Sequence, residues 1–224
     1  MRSLTLLTLS VVSFVACGDE FSPSPSQTSP FVKDCKLMVD SRFTTAQKVM
    51  ILEMINKWNE VGREYMDRGG QELITYGGVL YNAGSYTSRN RSDGLKAIYL
   101  GADDEYYKSE TSKYKGMMVL GLAVGREDIL IFDFNIFNLF KNDSVQYEEK
   151  FRLIVLHELG HYLGLGDDKK VSGKLMSSPG NLNDKPVIKF ADIRDLCSIY
   201  GCTHEPLSIQ PLSPTANRTP HFIF

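Results

Sequence analysis

The sequence has few of the features that mark proteins binding nucleic acid or spanning a membrane. Its formal net charge is −2, and no stretch of it is polybasic. This composition argues against nucleic acid and anionic membrane surfaces as partners. Its N-terminal apolar run, Leu4 to Val15, is too short to span a bilayer. No internal repeat is present, and the 42 % of apolar residues can bury a real core. We expect a monomer.

The N-terminus instead has the pattern of an export signal. Arg2 precedes the apolar run, which ends in Val15-Ala16-Cys17. Small or apolar residues before a cysteine resemble a bacterial lipobox, although Phe14 stands where leucine is usual. We therefore predict a lipoprotein signal peptide over residues 1–16, lipidation of Cys17, and anchoring in a membrane of the cell envelope or at the cell surface. The alternative is an ordinary signal peptide cut nearby.

Composition divides the rest of the chain into three parts. Residues 18–31 are rich in Ser and Pro and have almost nothing to bury, so residues 17–34 are predicted to form a disordered tether behind the lipidated cysteine. Residues 35–205 are predicted to form the folded domain. Residues 206–224 are predicted to be a loosely ordered tail.

Three cysteines follow the tether: Cys35, Cys197 and Cys202. Export allows disulfides, and an odd number of cysteines leaves one thiol free. Cys197 falls on the apolar face of a predicted helix, which favours a Cys35–Cys202 pair with Cys197 buried. Sequence alone leaves the connectivity open.

Local patterns predict both helices and strands, hence an α+β fold. Strands are expected at 36–40, 72–76, 95–100, 117–124 and 129–134, the last two joined as a hairpin. Helices are expected from the Thr44/Gln47 capping box to about Val61, from Asp143 to Gly164, and over an apolar stripe from Ile193 to Tyr200 that Gly201 caps. Trp58 is expected to anchor the core.

One acidic cluster, Asp103-Asp104-Glu105, raises the question of a second metal. Hard cations such as Ca²⁺ take oxygen ligands, so a calcium site is conceivable there. No calcium-loop signature accompanies the cluster, and a solvated acidic loop is the interpretation we favour.

Two of the four histidines stand four residues apart, in His157-Glu158-Leu159-Gly160-His161. Residues at this spacing lie one above the other on a helix, so His157 and His161 can share one metal ion. Glu158 is rotated by about 100° from His157 and can reach a water molecule on the metal without binding the metal itself. The pattern predicts a hydrolytic zinc site with Glu158 as general base.

The third ligand is expected just after this helix. Gly164 lets the chain leave the helix in a conformation that is costly for other residues, and the turn can bring Asp167 back to the metal. Asp168, one residue later, is a rival ligand, and His204 is a weaker rival well beyond the turn.

The longer pattern resembles the metzincin clan of zinc endopeptidases. His-Glu-x-x-His-x-x-Gly-x-x-Asp, from His157 to Asp167, is followed by Met176 in a turn nine residues later. Asp192 to Gly201 resembles the final helix of the matrixin-like branch. Gly121-Leu122-Ala123 resembles the edge strand against which that family lays its substrate. The resemblance covers roughly Cys35 to Cys202.

This resemblance implies a zincin-like fold and a proteolytic activity. The fold would be a twisted mixed sheet of about five strands, packed with an N-terminal helix, an active-site helix, a Met-turn and a C-terminal helix. The protein would be a zinc metalloprotease that hydrolyses peptide bonds through a zinc-activated water, with Glu158 as general base. Its Zn²⁺ ligands would be His157, His161 and Asp167.

Further roles follow from the same resemblance. Met176 would form an apolar floor beneath the metal, while Leu122 and Ala123 would bind a peptide or protein substrate as an added strand. An aspartate ligand, where histidine is usual, also occurs in snapalysin-type bacterial enzymes. The histidines of a second, structural zinc and a cysteine-switch propeptide are both absent from the sequence.

Two other interpretations remain open at this point. The chain could be a non-catalytic surface lipoprotein that binds peptides or mediates adhesion, but a scaffold that merely holds a metal has no need of Glu158. It could instead be a gluzincin with a distant glutamate ligand such as Glu205. The second would make coincidences of Gly164, Asp167 and Met176.

Overall fold

The computed structural model describes residues 36–66, 71–87, 90, 93–103, 105–112, 118–168, 174–177, 182 and 184–203. Several predictions therefore lie outside the described residues: the signal peptide, Cys17 and the tether, Cys35, His204, Glu205 and the tail. No helix within the described ranges is long and apolar enough to cross a membrane.

The fold is α+β, as predicted. Its elements follow one another along the chain as β1 (Lys36–Asp40), α1 (Thr45–Tyr65), β2 (Thr75–Leu80), β3 (Lys96–Leu100), α2 (Glu105–Thr111), β4 (Gly121–Val124), β5 (Asp128–Ile131), α3 (Asp133–Phe140), α4 (Ser144–Tyr162) and α5 (Phe190–Tyr200).

The strands form one mixed sheet in the order β2-β1-β3-β5-β4. Strands β2, β1, β3 and β5 are parallel to one another, whereas β4 is antiparallel to β5 and lies at the edge of the sheet. Their side chains alternate between two apolar layers. Ile98, Ile129 and Ile131 face the main core with α1 and α4, while Tyr99 and Leu130 face a smaller core on the other side.

Helix α1 begins at the predicted capping box. The Gln47 amide donates to Thr44 Oγ1 at 3.2 Å, and the Thr44 amide donates to Gln47 Oε1 at 2.9 Å. Trp58 is completely buried, as expected of a core anchor. Its indole N–H donates to the Leu156 carbonyl at 3.0 Å, which ties α1 to α4 one residue before His157.

Helix α4 also begins where the sequence predicts, with the Asp143 carboxylate accepting from the Gln146 amide at 2.9 Å. Every residue from Lys150 to Tyr162 except Arg152 is buried. The second half of α4 is therefore a core helix, and its polar side chains lie within the protein.

The structure differs from the expected helix and strand limits in several places. Helix α1 runs past Val61 to Tyr65, because Gly62 does not end the helix but packs against Leu73. Strand β2 starts at Thr75 and includes Gly77, where a β-carbon would lie 2.8 Å from Lys36 Cβ. This glycine thus permits close pairing with β1. The short helices α2 and α3 have no strong pattern in the sequence and were not predicted.

The predicted disulfide is wrong. Cys197 pairs with Cys202, with a Cα–Cα distance of 5.1 Å, and so is not a buried free thiol. The reason is the end of α5: Gly201 has φ of 77°, and its amide donates to the Cys197 carbonyl at 2.8 Å. This left-handed turn brings Cys202 back against the last turn of the helix.

Candidate metal centre

The end of helix α4 is shaped by Gly164, which has φ of 96°. Its amide donates to the His161 carbonyl at 2.8 Å, and the next amide, of Leu165, donates to the Gly160 carbonyl at 3.0 Å. These two bonds are those of a Schellman motif. The turn brings the Leu165 carbonyl to 2.8 Å from Nδ1 of His161. The helix terminus thereby orients this imidazole.

The other imidazole is oriented by a segment distant in sequence. Nδ1 of His157 lies 2.8 Å from the carbonyl oxygen of Leu175, in the turn Lys174–Ser177. Asp192, in the first turn of α5, holds that turn by accepting from the amides of Leu175 at 3.0 Å and Met176 at 3.2 Å. The final helix therefore supports the position of His157 through this turn.

Both rings direct their other nitrogen to one point. A carbonyl oxygen can only accept, so each Nδ1 carries a hydrogen, and in the neutral imidazole Nε2 is then the nitrogen with the lone pair. The two Nε2 atoms are 3.0 Å apart, and Asp167 Oδ1 lies 3.7 Å from that of His157 and 3.5 Å from that of His161. Among the described residues, this trio is the group that could hold a metal ion.

The donor atoms suit zinc in type and spacing. Zinc prefers four tetrahedral ligands at about 2.0–2.1 Å, which places neighbouring donor atoms about 3.3–3.4 Å apart. The three observed separations, 3.0, 3.5 and 3.7 Å, bracket that value. Three protein ligands also leave a fourth position for substrate or water, as in catalytic zinc sites.

The two histidines have opposite pKa shifts. Burial, together with the neighbouring His161, lowers the pKa of His157 to about 3. Burial would also lower the pKa of His161, but the Asp167 and Glu158 carboxylates more than compensate, and that pKa is raised. His157 is thus neutral at physiological pH, the form in which imidazole binds a metal.

Glu158 is buried beside this trio with its carboxylate unsatisfied. The side chain is 0 % exposed, and neither of its oxygens accepts a hydrogen bond from the described residues. Burial raises its pKa to about 8; His161 and the nearby amide of Ala123 act in the opposite direction. A cation held by the three ligand atoms would favour the ionised carboxylate. Glu158 thus lies next to the three atoms that could hold a metal ion.

Strand β4 lies directly against Glu158. A β-carbon on Gly121 would lie 2.6 Å from Glu158 Oε1, so glycine is needed for this approach. The Phe132 amide donates to the Leu120 carbonyl at 2.9 Å. In an antiparallel pair, only every second residue of a strand bonds to the partner strand through its backbone. Leu122 consequently bonds to β5, whereas the backbone groups of Gly121 and Ala123 point away from it. These are the groups a peptide could pair with at this edge.

Met176 also packs against the site, and sequence reasoning missed the residue that allows it. A β-carbon on Gly160 would lie 2.5 Å from Met176 Sδ and 3.3 Å from Cζ2 of Trp58. Met176 is 2 % exposed and, from the turn Lys174–Ser177, packs against helix α4 at Gly160, which lies between His157 and His161. The signal available in sequence was a glycine inside a helix, where it costs about 1 kcal/mol relative to alanine.

The remaining predicted residues are placed as follows. The carboxylate of Asp168, the rival third ligand, bonds to Lys174 at 2.7 Å and is not part of the trio. Asp103 is exposed, with Lys108 4.0 Å away, and Glu105 begins helix α2. Asp104 lies outside the described residues, so the calcium hypothesis stays a prediction.

No protein-family model matches this chain, and no curated protein is similar to it in sequence. The likeness of this chain to zincins therefore rests on the candidate metal-binding residues and on the fold. A helix with histidines at the His-Glu-x-x-His spacing and an aspartate nearby, beside a five-stranded mixed sheet, is consistent with a zincin-like fold.

Proposed function

We propose that this protein is a zinc-dependent endopeptidase of the metzincin clan, close to the matrixin-like branch. The observation that carries the proposal is Glu158, a buried carboxylate with no hydrogen bond from the described residues, beside three atoms that could hold a metal ion. His157, His161 and Asp167 would hold Zn²⁺. When bound, the ion supplies Lewis acidity, which makes water nucleophilic near neutral pH and polarises the carbonyl of the peptide bond.

The protein's own residues supply the proton transfers and the alignment. Glu158, which a bound cation would keep ionised, takes the proton from the attacking water and gives it to the leaving amine. Gly121 and Ala123 offer outward backbone groups to an extended peptide, which would bind as an added strand with little selection for sequence. Unstructured proteins are therefore the substrate class we propose.

Glu158→Gln tests the general-base role. The amide is almost the same size but cannot take a proton, so kcat for an unstructured protein such as casein should fall about 10²- to 10⁴-fold. Zinc content should stay at one ion per chain, because Glu158 is not a ligand. Glu148→Gln, an exposed position on the same helix, is the matched control. Normal cleavage by Glu158→Gln would rule out this mechanism.

Asp167→Ala tests the third ligand. Removing one of three ligand atoms should abolish most zinc binding, measured by competition with a chromophoric chelator, and cleavage should fall with it. Asp168→Ala is the matched comparison and should retain one zinc per chain. If Asp167→Ala retained zinc and Asp168→Ala lost it, the ligand would be Asp168.

The cellular setting is a proposal from the sequence alone. Export by the residue 1–16 signal, lipidation of Cys17 and a tether over 17–34 would hold the domain near a membrane of the cell envelope. Radiolabelled fatty acid should then be incorporated into the wild-type chain and not into Cys17→Ala. Equal labelling of both would refute the anchor without affecting the proposed protease.

A further inference from the structure

Two adjacent carboxylates, Asp167 and Asp168, follow the metal-binding helix, and only the first of them belongs to the trio of ligand atoms. A divalent cation attracts both, since each is a hard oxygen donor of the same charge. A contact within the protein must therefore distinguish the two adjacent carboxylates, so that only Asp167 is available to the metal.

Lys174 contacts Asp168 and is almost entirely buried. Its Nζ lies 2.7 Å from Oδ2 of Asp168 and 2.9 Å from Oδ2 of Asp195 on helix α5, and the residue is 5 % exposed. Burial lowers the pKa of Lys174, but the hydrogen bonds to Asp168 and Asp195 more than compensate, so it is raised overall. The ammonium is charged and bridges the two carboxylates.

The backbone around Lys174 fixes the same geometry. The Asp168 amide donates to the Met176 carbonyl at 2.7 Å, and Asp168 forms a parallel bridge with Ser177. Ser177 Oγ in turn donates to the Lys174 carbonyl at 2.6 Å. The segment after helix α4 is thus joined to the turn Lys174–Ser177 by backbone and side-chain bonds. Asp168 and Lys174 take part in both kinds of bond.

We propose that Lys174 is a positioning residue of the metal centre: its ammonium holds the Asp168 carboxylate away from the metal and so leaves Asp167 as the third ligand. This inference rests on the proposed metal-binding function. Lys174 touches none of the three ligand side chains in the contacts described above. It acts through Asp168 and, through the turn Lys174–Ser177, on the carbonyl of Leu175 that orients His157.

Loss of the ammonium would remove the cation that lies 2.7 Å from the Asp168 carboxylate, one residue from the proposed metal ligand Asp167. Rotation of that carboxylate toward the metal would displace Asp167 and distort the ligand geometry, which weakens zinc binding. Neighbours that orient ligands typically affect metal affinity about 10- to 100-fold when they are lost.

The test is a double-mutant cycle on the full chain, with Zn²⁺ affinity measured by competition with a chromophoric chelator. Lys174→Met should weaken zinc binding about 10- to 100-fold. Adding Asp168→Asn to that variant should restore most of the affinity, because the competing charge is gone. Lys174→Arg, which keeps the cation, should bind zinc as the wild type does.

Co²⁺ provides a second readout that a purely structural role would not change. The visible absorption of bound Co²⁺ depends on coordination number and geometry. The spectrum of Lys174→Met should differ from that of the wild type, and the double variant should return to it. Lys174→Gln serves for the same comparisons if the methionine variant does not fold.

Lys150→Met is the matched control. Lys150 is also a buried lysine, 7 % exposed and bonded to Glu149 at 2.8 Å, but it lies two turns before His157 on α4. It should lose stability and keep zinc affinity. Unchanged zinc affinity in Lys174→Met (or in Lys174→Gln where it takes its place), or no recovery on adding Asp168→Asn, would overturn the proposal. Failure of the wild type to bind zinc would instead overturn the metal site itself.

Discussion

Gly121→Ala is the substitution that most directly tests the contact between the edge strand and Glu158. The new β-carbon would lie 2.6 Å from Oε1 of Glu158, 2.7 Å from its Cγ and 2.9 Å from Cγ2 of Ile154. Carbon atoms in comfortable contact are about 3.5–4.0 Å apart, so the overlap is about 1 Å. Glu158 is 0 % exposed and lies directly against the new β-carbon. The carboxylate itself must therefore move.

A shift of this size has a calculable effect on catalysis. Misplacement of a catalytic group by about 1 Å costs up to about 10²-fold in rate. We expect kcat/KM for casein to fall about 10- to 100-fold in Gly121→Ala, equivalent to about 1.4–2.7 kcal/mol of transition-state stabilisation. Zinc content should not change, because neither Gly121 nor Glu158 is a ligand in the proposed site.

The control separates this effect from a general loss of packing. A β-carbon on Gly62 would lie 2.7 Å from Cγ of Leu73, an overlap of similar size on helix α1 away from the metal centre. Gly62→Ala should keep kcat/KM at temperatures where both variants are folded, as judged by circular dichroism. Wild-type kcat/KM in Gly121→Ala would refute the argument that strand β4 fixes the position of Glu158.

Two further predictions concern stability. In Gly160→Ala the new β-carbon would lie 2.5 Å from Met176 Sδ. The destabilisation from overpacking, about 1–3 kcal/mol, should exceed the gain in helix propensity of about 1 kcal/mol. Thermal unfolding should therefore show a lower Tm, and an unchanged or higher Tm would contradict this. Burial raises the pKa of Asp128 to about 6 from an ordinary 3.8. The contribution of this carboxyl group to the free energy of unfolding is therefore fully present below pH 3.8, where it is protonated, and is lost as the pH rises through 6. Asp128→Asn should therefore gain about 1–2 kcal/mol on the wild type between pH 4 and 7 in urea unfolding, less than the full shift implies because of solvent screening, and a pH-independent difference would contradict it.

The parts of the fold that were predictable from sequence are those with local signals. The bonds of the Thr44/Gln47 capping box and the Asp143 cap each join residues three apart. The His157/His161 spacing is likewise a property of one helix. These features need no knowledge of the rest of the chain, and the structure contains each of them.

The parts that sequence did not reveal depend on contacts between distant segments. Gly121 meets Glu158 across 37 positions of the chain, and Asp192 reaches Leu175 across 17. Lys174 lies in a polar loop with no local pattern of its own, and its position depends on Asp168 and on Asp195 of helix α5, which it contacts on either side. The disulfide was missed for the opposite reason: its geometry depends locally on the left-handed Gly201, whereas the apolar face of the predicted helix favoured a buried Cys197.

Taken together, these contacts indicate that the His-Glu-x-x-His spacing does not by itself complete the candidate metal centre. Helix α4 puts two imidazoles on one face, but their rotation is set by two carbonyl oxygens. One, of Leu165, comes from the helix's own Schellman turn and is therefore local. The other, of Leu175, belongs to a turn that Asp192 holds from helix α5. A chain with the same five-residue motif and no counterpart of this turn would orient one histidine and leave the other free to rotate. The ligand geometry is consequently a property of the whole second half of the domain.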